Sequence, residues 1–542
     1  MAFDAASPLS MFFNFGTLLI SIFGMWWFYD HPRPWSWLCF VFLTLATFSL
    51  YELLAPGKPK PIVLELAGMK WTREDFCRGW LITGATGCGK TASIMMRILF
   101  GLCTHVPDWG GMALDDKGLF YRILVKMFRA FGREKHLRLI QVRPDDAASD
   151  WKPSDTWNPL DDKTMPYSAH AKIICDVAAS FSSNSHPFFS QMAQIAMEYA
   201  MRGLDVADHY VTLTQVYNVT TNDDDLKALL ADLSKIEGTK AKEAAEVDEY
   251  FLTRFLTLPP DTLGGLRGEM VRYLKFFTDE RLAEIFSPKR GTVSLEDMDK
   301  SHVLCISIPQ KYATERHYIN TLAKFYFYLH ALRRFDLHDH EMAKRTLLVL
   351  VSDENQNIVT TSEQGMSDYK IVDRIREAGA TIVAATQSPT SYFPAFKAKD
   401  KAMTYMNNLR NRVICTAADK EGAEISANLL PPVHIWERTF NSGRGGSGST
   451  RKRVWKPPFE WGQLIRLKKF ECIVQHCERG IKRCILAPIN ERGVVPDWYK
   501  GNVKKIEQGY TSLRAEIDEP SDFSTKIGSK YYVINNPTPK NH

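Results

Sequence analysis

The 542-residue chain has little of what staples a small domain together or addresses it for secretion. Its ten cysteines contain no C-x-x-C pair, so neither a zinc site nor a disulfide framework is indicated, and a reduced, cytoplasmic setting fits. Three of them, Cys472, Cys477 and Cys484, fall close together. The residues around them alternate like a hairpin about Glu478-Arg479-Gly480, which reads as two strands. The first nine residues hold no Lys or Arg, which excludes the basic start of a cleaved signal peptide. Between residues 168 and 286 there is no apolar β-branched run like those elsewhere in the chain. Apolar residues there recur with helical spacing, as in 188–200, 225–233 and 267–277, so the stretch is expected to be an all-α subdomain.

What the chain does have is a lysine held in a glycine loop. Gly84-Ala85-Thr86-Gly87-Cys88-Gly89-Lys90-Thr91 fits G-x-x-x-x-G-K-[ST], follows the apolar run Trp80-Leu81-Ile82-Thr83 and precedes a helix-forming segment. Backbone N–H groups of such a loop close around the β-phosphate, Lys90 reaches the β/γ oxygens, and the Thr91 hydroxyl is placed to ligate Mg²⁺. ATP and Mg²⁺ are therefore the expected cofactors.

A second element is needed for hydrolysis. The run 346–352 is continuously apolar, as a parallel strand buried on both faces must be, and it ends in Asp353-Glu354. Asp353 is the expected metal ligand, and Glu354 the acceptor of a proton from the attacking water. A third strand, 380–386, ends at Gln387, whose side chain is expected beside the γ-phosphate because ligands of open parallel sheets sit at the strands' carboxyl ends.

Ahead of this catalytic region lie two apolar runs, at about 11–29 and 35–53, each close to the ~20 residues that cross a bilayer. Trp26, Trp27, Tyr29, Trp35 and Trp37 gather around the short linker between them. Basic residues Lys58, Lys60, Lys70, Arg73 and Arg78 follow. The expectation is a two-helix transmembrane hairpin, touching lipid, with both termini cytoplasmic. At the other end, basic residues outnumber acids between 438 and 505, most densely in 443–453. Arg444, Arg451, Lys452 and Arg453 are expected there on a flexible loop, either contacting DNA phosphates without reading sequence or simply solvated. Trp455 and Trp461 stand nearby as candidates to stack on bases or to pack. The polar stretch from 508 to 542 is expected to be a mobile tail.

Taken together, these motifs resemble the type IV secretion coupling proteins, the VirD4/TraG/TraD family of conjugative ATPases, over nearly the whole chain. Asp116-Lys117-Gly118 looks like the family's D-P-K-G-E signature, although the proline and the glutamate are missing. Asn158-Pro159-Leu160-Asp161 is similar to its N-P-L segment, and 375–379 and 408–413 to its later motifs. The resemblance implies a RecA-like P-loop NTPase fold with a mostly parallel sheet. Its parts would be a hairpin at 1–58, a nucleotide-binding domain in two pieces at 59–167 and 287–507, an all-α domain at 168–286, and the tail.

The resemblance also implies a homo-hexameric ATPase at the bacterial inner membrane that delivers DNA with a bound relaxase, or an effector protein, to a type IV secretion channel. Asp116 and Lys117 become accessory candidates. Arg376 becomes a candidate for insertion, in trans, into a neighbouring subunit's active site, against the alternative of an i,i+3 partner for Asp373 on a helix surface. Two other readings stay open: a coupling ATPase for protein effectors alone, and a docking receptor that uses nucleotide only as a switch.

Overall fold

The computed structural model describes residues 60–118, 120–181, 187–337, 345–361, 365–443, 446–500 and 532–534, together with Ile22 and Val41; the side chains of 438–450 and 532–534 are excepted. The chain divides into two units, Met1–Pro61 and Ile62–His542, and the second holds nearly all the described residues.

A small antiparallel pair, β1 (Ile62–Leu66) and β2 (Met69–Thr72), leads into the central sheet. The sheet's parallel part is β3 (Trp80–Thr83), β4 (Gly110–Asp115), β5 (Leu137–Gln141), β6 (Val303–Ser307), β7 (Leu348–Ser352), β8 (Ala380–Thr386) and β9 (Asn411–Ile414). Their spatial order is β9-β3-β8-β7-β4-β6-β5. The inner strands β3, β4, β6, β7 and β8 are mainly apolar because both faces are covered, whereas the edge strand β5 carries Arg138 and Gln141 and β9 carries Asn411 and Arg412. Leu81, Met112, Leu114, Leu348, Leu350, Ile382 and Ala384 enter one apolar core, and Trp80, Ile82, Ala113, Val349, Val351, Val383 and Ala385 enter the other. That alternation is the two-residue period of a strand. Gly111 has φ +145°, and a Cβ there would lie 2.1 Å from the Val349 carbonyl oxygen, so no side chain fits where β4 meets β7.

Past β9 the sheet continues antiparallel through β12 (Glu471–His476), β13 (Gly480–Ile485) and β14 (Tyr532–Ile534). The hairpin expected around Glu478-Arg479-Gly480 is thus β12 and β13. Cys472 and Cys484 face each other across it with sulfurs 3.9 Å apart, while Cys477 lies in the turn rather than on a strand. β14 falls inside the stretch expected to be a mobile tail; its Tyr-Val-Ile is the kind of sequence that adds to a sheet edge.

Between β5 and β6 the described residues form helices and no strand, from Tyr167–Phe181 through Pro187–Val206 and Pro260–Leu274 to Glu280–Phe286. Asn158 ties the chain entering this region to the segments at Val211 and Pro288: its amide donates to the carbonyls of Val211 at 2.9 Å and Pro288 at 3.3 Å, and its oxygen accepts from Leu160 N.

The expected transmembrane spans at 11–29 and 35–53 lie outside the described residues. The localisation expected from them is corrected: among the described residues no helix is long and apolar enough to cross a membrane. The two longest, Pro187–Val206 and Ala313–Leu332 at 20 residues each, show why. They carry Glu198, Arg202 and Asp205, and Glu315, Arg316 and Lys324, and they pack their apolar faces into the protein core.

Candidate active site

The parallel strands all point one way, so their carboxyl ends share one edge. Thr83 of β3 pairs in register with Thr386 of β8, and β7 ends one strand further on. The phosphate loop, Asp353-Glu354 and Gln387 therefore meet there although 303 positions separate Gly84 from Gln387 (387 minus 84).

Three loop glycines, Gly84, Gly87 and Gly89, have positive φ. Gly84 and Gly89 are also enclosed, since a Cβ on Gly84 would meet Cys415 at 2.5 Å and one on Gly89 would meet the Phe470 ring at 2.5 Å. Ala85 N donates to the Thr416 carbonyl at 2.7 Å, and Phe470 N to the Cys88 carbonyl at 3.0 Å, so the loop is braced from β9 and from the start of β12. From Gly89 the chain enters a widened helical turn of the π type, Lys90–Met95, and then the α-helix Met96–His105. Lys90 is buried and donates to the carbonyls of Gly84 and Ala85, which holds its ammonium over the loop.

The acids come to the same place. Thr91 Oγ1 donates to Asp353 Oδ2 at 3.4 Å, and Asp353 Oδ1 is buried without a partner. A hydroxyl beside a carboxylate with one uncommitted oxygen is a donor set that suits Mg²⁺, a hard cation. Glu354 has φ +60°, an uncommon backbone conformation for a side-chain-bearing residue and of a kind that collects at functional sites. Its carboxylate accepts from Gln356 at 2.8 Å and Gln387 at 3.4 Å, and pairs with Lys117 at 2.8 Å. Burial alone would raise the Glu354 carboxyl, but the hydrogen bonds from Gln356 and Lys117 and the Lys117 charge outweigh it and hold the group below its ordinary range.

Lys117 also pairs with Asp353 at 3.3 Å, so one ammonium bridges both acids of the motif. Burial works to lower its pKa; the bonds and charges of Glu354 and Asp353 prevail and raise it. Asp116 turns the other way, receiving Asn357 Nδ2 at 2.9 Å and lying 3.5 Å from Arg316. Its carboxyl is raised by burial, which Arg316 and Asn357 only partly offset.

Arg316, Gln356, Asn357 and Phe470 were not singled out from the sequence. Arg316 and Phe470 lie far from any motif and give no periodic or spacing signal. Gln356 and Asn357 were nonetheless findable as the polar residues directly after the acid pair.

Arg376 is not in this constellation. It sits in a series of turns before β8, not on a helix, and pairs with Glu377 at 3.5 Å rather than with Asp373. All of β8 separates it from Gln387, about 20 Å at strand spacing. It cannot serve its own subunit's phosphate loop. Arg412, another arginine of the family-like segments, is buried and bonded to the Leu429 and Met406 carbonyls, which commits it to structure.

The segment expected as a flexible basic loop is instead a two-stranded ribbon, β10 (Val433–Gly443) and β11 (Gly446–Lys456), paired without a break. Aromatic and β-branched residues flanking the glycines drive the pairing. Arg451, Lys452 and Arg453 lie on β11, whereas Arg444 lies outside the described residues. Trp461 is engaged by Lys420, 5.1 Å from its ring.

Asp75, His476 and Cys477 bring three metal-ligating groups within 4.8 Å of one another. His476 is already spent, with Nδ1 accepting from Glu478 N and Arg479 N and Nε2 on the Lys70 carbonyl. We read this cluster as a tie between β2 and the β12–β13 turn.

No protein-family model and no curated protein matches the chain. Solved structures do. The bacterial conjugative coupling protein TrwBdeltaN70, in an unbound form, is 17% identical with a TM-score of 0.54, over 82% of this chain and 92% of that one. The plasmid coupling protein TrwB with a non-hydrolysable ATP analogue is 17% identical, TM-score 0.54, over 81% and 92%. TrwB with ADP and Mg²⁺ is 16% identical, TM-score 0.53, over 80% and 90%. The chain thus has the fold of a conjugative coupling protein, the fold that its resemblance to the type IV secretion coupling proteins implied.

Proposed function

We propose that this chain is an ATP-driven coupling protein of the VirD4/TraG/TrwB kind, which recruits DNA or a relaxase–DNA complex and passes it to a type IV secretion channel. The observation that carries the proposal is the meeting of Lys90, Thr91, Asp353, Glu354 and Gln387 at one sheet edge, with an uncommitted oxygen on Asp353. TrwB has been seen with ATP and GTP analogues and with ADP and Mg²⁺, which supports ATP and Mg²⁺ as cofactors here.

In this reading Thr91 and Asp353 hold the Mg²⁺, which would neutralise charge on the β- and γ-phosphate oxygens. The loop N–H groups and Lys90 bind the phosphates. Glu354 accepts the proton of the attacking water, and Gln387, already within reach of Glu354, orients that water. A poised base argues for turnover over a nucleotide switch. Arg376 acts in trans within a homo-hexamer. We take 59–167 with 287–507 as the nucleotide-binding domain and 168–286 as the all-α domain.

The test is ATPase rate with no nucleic acid, with single-stranded DNA and with duplex DNA. Stimulation by either is expected. Turnover that ignores both, but rises with a candidate effector protein, would replace the DNA reading with the effector one.

A further inference from the structure

The two faces of the β10–β11 ribbon differ in a way that points to a ligand. The pairing is unbroken, so directly opposed residues share a face and every second residue returns to it. One face carries His434 opposite Trp455 and Trp436 opposite Arg453, with Arg451 next along. The other carries Val433, Ile435 and Val454, with Glu437 opposite Lys452 and paired to Lys456. The aliphatic residues Val433, Ile435 and Val454 are half-buried, whereas His434, Trp436, Arg451, Arg453 and Trp455 are all exposed, as are Lys452 and Lys456 at the charged positions of the other face. Trp436 is 68% exposed and Trp455 61%, so the ribbon covers its aliphatic face and turns its two largest apolar surfaces outward.

Charge selects the occupant. From 433 to 456 the sequence has six basic residues and one acid, Glu437, and that acid is on the other face. Neither Arg451 nor Arg453 has an acidic neighbour across or along its face. Indole rings alternating with unneutralised guanidinium groups match a ligand that offers flat π surfaces and phosphates in turn. In duplex DNA the base faces are stacked away, but in a single strand they are open.

We propose that the Trp436/Trp455/Arg451/Arg453 face of the ribbon binds single-stranded nucleic acid, with the indoles stacking on bases and the arginines on phosphates. This deepens the functional reading above and rests on it for the class of substrate. The ribbon's base is pinned by Leu430 and Phe459 in a small apolar cluster, and Phe470, which follows in the chain, braces the phosphate loop at Gly89. The face is therefore attached to the site that would drive a bound strand.

The experiment measures binding of the full chain to labelled oligothymidylate and to a labelled duplex across a salt series. Far-UV circular dichroism and binding of a fluorescent ATP analogue check folding. Arg451→Ala with Arg453→Ala should weaken oligothymidylate binding and flatten its salt dependence by about 1.4 units of slope, from two lost phosphate contacts. Trp436→Ala and Trp455→Ala should each cost about tenfold on oligothymidylate and little on duplex. Lys452→Ala, on the opposite face, should change neither.

If the native chain binds oligothymidylate but the Trp and Arg variants bind equally well, the ribbon proposal is overturned while the DNA reading stands. Equal losses from Lys452→Ala would also overturn it, by showing charge without a face. So would Trp variants that change self-association in sedimentation but not oligothymidylate affinity, since the face would then be a subunit contact. A native chain that binds neither probe overturns the DNA reading itself, and this proposal with it.

Discussion

Two buried charge clusters lie within a few residues of each other and are built on opposite principles. In the first, Lys324 and Asp368 are both fully buried, 2.5 Å apart. Asp368 also accepts from Tyr328 at 2.7 Å and from Thr360 N and Oγ1 at 2.8 and 3.0 Å, and Lys324 donates to the Ile358 carbonyl as well. Both carboxylate oxygens are engaged. In the second, Lys117 spans Asp353 and Glu354, but Asp353 Oδ1 has no partner, Glu354 has positive φ, and the Lys117 side chain is 48% exposed. The first is a lock on the chain just after the acid motif. The second is a site with valence left over for something else. Saturation of hydrogen bonds, rather than burial or charge, separates structure from chemistry here.

The largest effect should come from removing the base. Glu354→Gln keeps the size and one acceptor oxygen, enough for one of the two bonds received from Gln356 and Gln387, but it cannot accept a proton. Turnover should fall by about 10²–10⁴-fold while nucleotide stays bound. Lys90→Ala should lose turnover through loss of phosphate binding instead. A Glu354→Gln protein with native ATPase rate would remove Glu354 as the base.

Next is the charge that the open cluster lacks within its own subunit. Arg376 stands at the far end of β8, so any part it plays is in a neighbour's site. An arginine supplied in trans is worth ~10³-fold or more in rate, against ~0.3 kcal/mol for a surface ion pair such as that with Glu377. Arg376→Ala should bind ATP and hydrolyse it poorly, and mixing it with Lys90→Ala should restore some activity. A native rate from Arg376→Ala in the assembled state would leave the site without this partner and make Arg374 the next candidate.

The closed cluster should answer in stability. Asp368→Asn leaves Lys324 charged, buried and unpaired, a cost of about 3–5 kcal/mol. Urea unfolding should show it as a lower midpoint. A loss under about 1 kcal/mol would mean that the pair is not the lock described.

Much of the open cluster was legible in the sequence because its members end apolar runs, and parallel strands bring such ends together whatever the distance along the chain. Asp353, Glu354 and Gln387 carried that signal, and Lys90 and Thr91 carried the glycine-loop pattern that follows such a run. Lys324 and Asp368 did not, since each sits in a segment whose other residues decide its helix or turn. The ribbon misread as a loop has a different cause. Its Gly-Arg-Gly-Gly-Ser-Gly-Ser centre has linker composition, and it outweighed the alternating Val-His-Ile-Trp and Arg-Val-Trp-Lys flanks that pair. Arg316 was illegible because only the packing of the Ala313–Leu332 helix against β4 aims it at Asp116.

The smallest effect is the one that sharpens the comparison most. Lys117 is the only cation paired with either acid of the motif among the described residues, and it helps hold the Glu354 carboxyl below its ordinary range. A depressed carboxyl stays ionised, and so competent as a base, to lower pH than an ordinary glutamate. Its contribution to stability has the same sign: present above the unfolded pKa, and lost as pH falls through the folded value. Lys117→Met keeps the aliphatic stem but removes the charge, so burial should then dominate and the Glu354 carboxyl should rise. The acidic limb of the ATPase pH profile should move to higher pH, with the rate at its plateau changed far less than in Glu354→Gln. At the same time Asp353 should lose its competing ammonium, and the Mg²⁺ concentration for half-maximal rate should fall. If both the acidic limb and the Mg²⁺ dependence stay where they are, Lys117 is a bystander on the surface and the open cluster consists of its two acids alone.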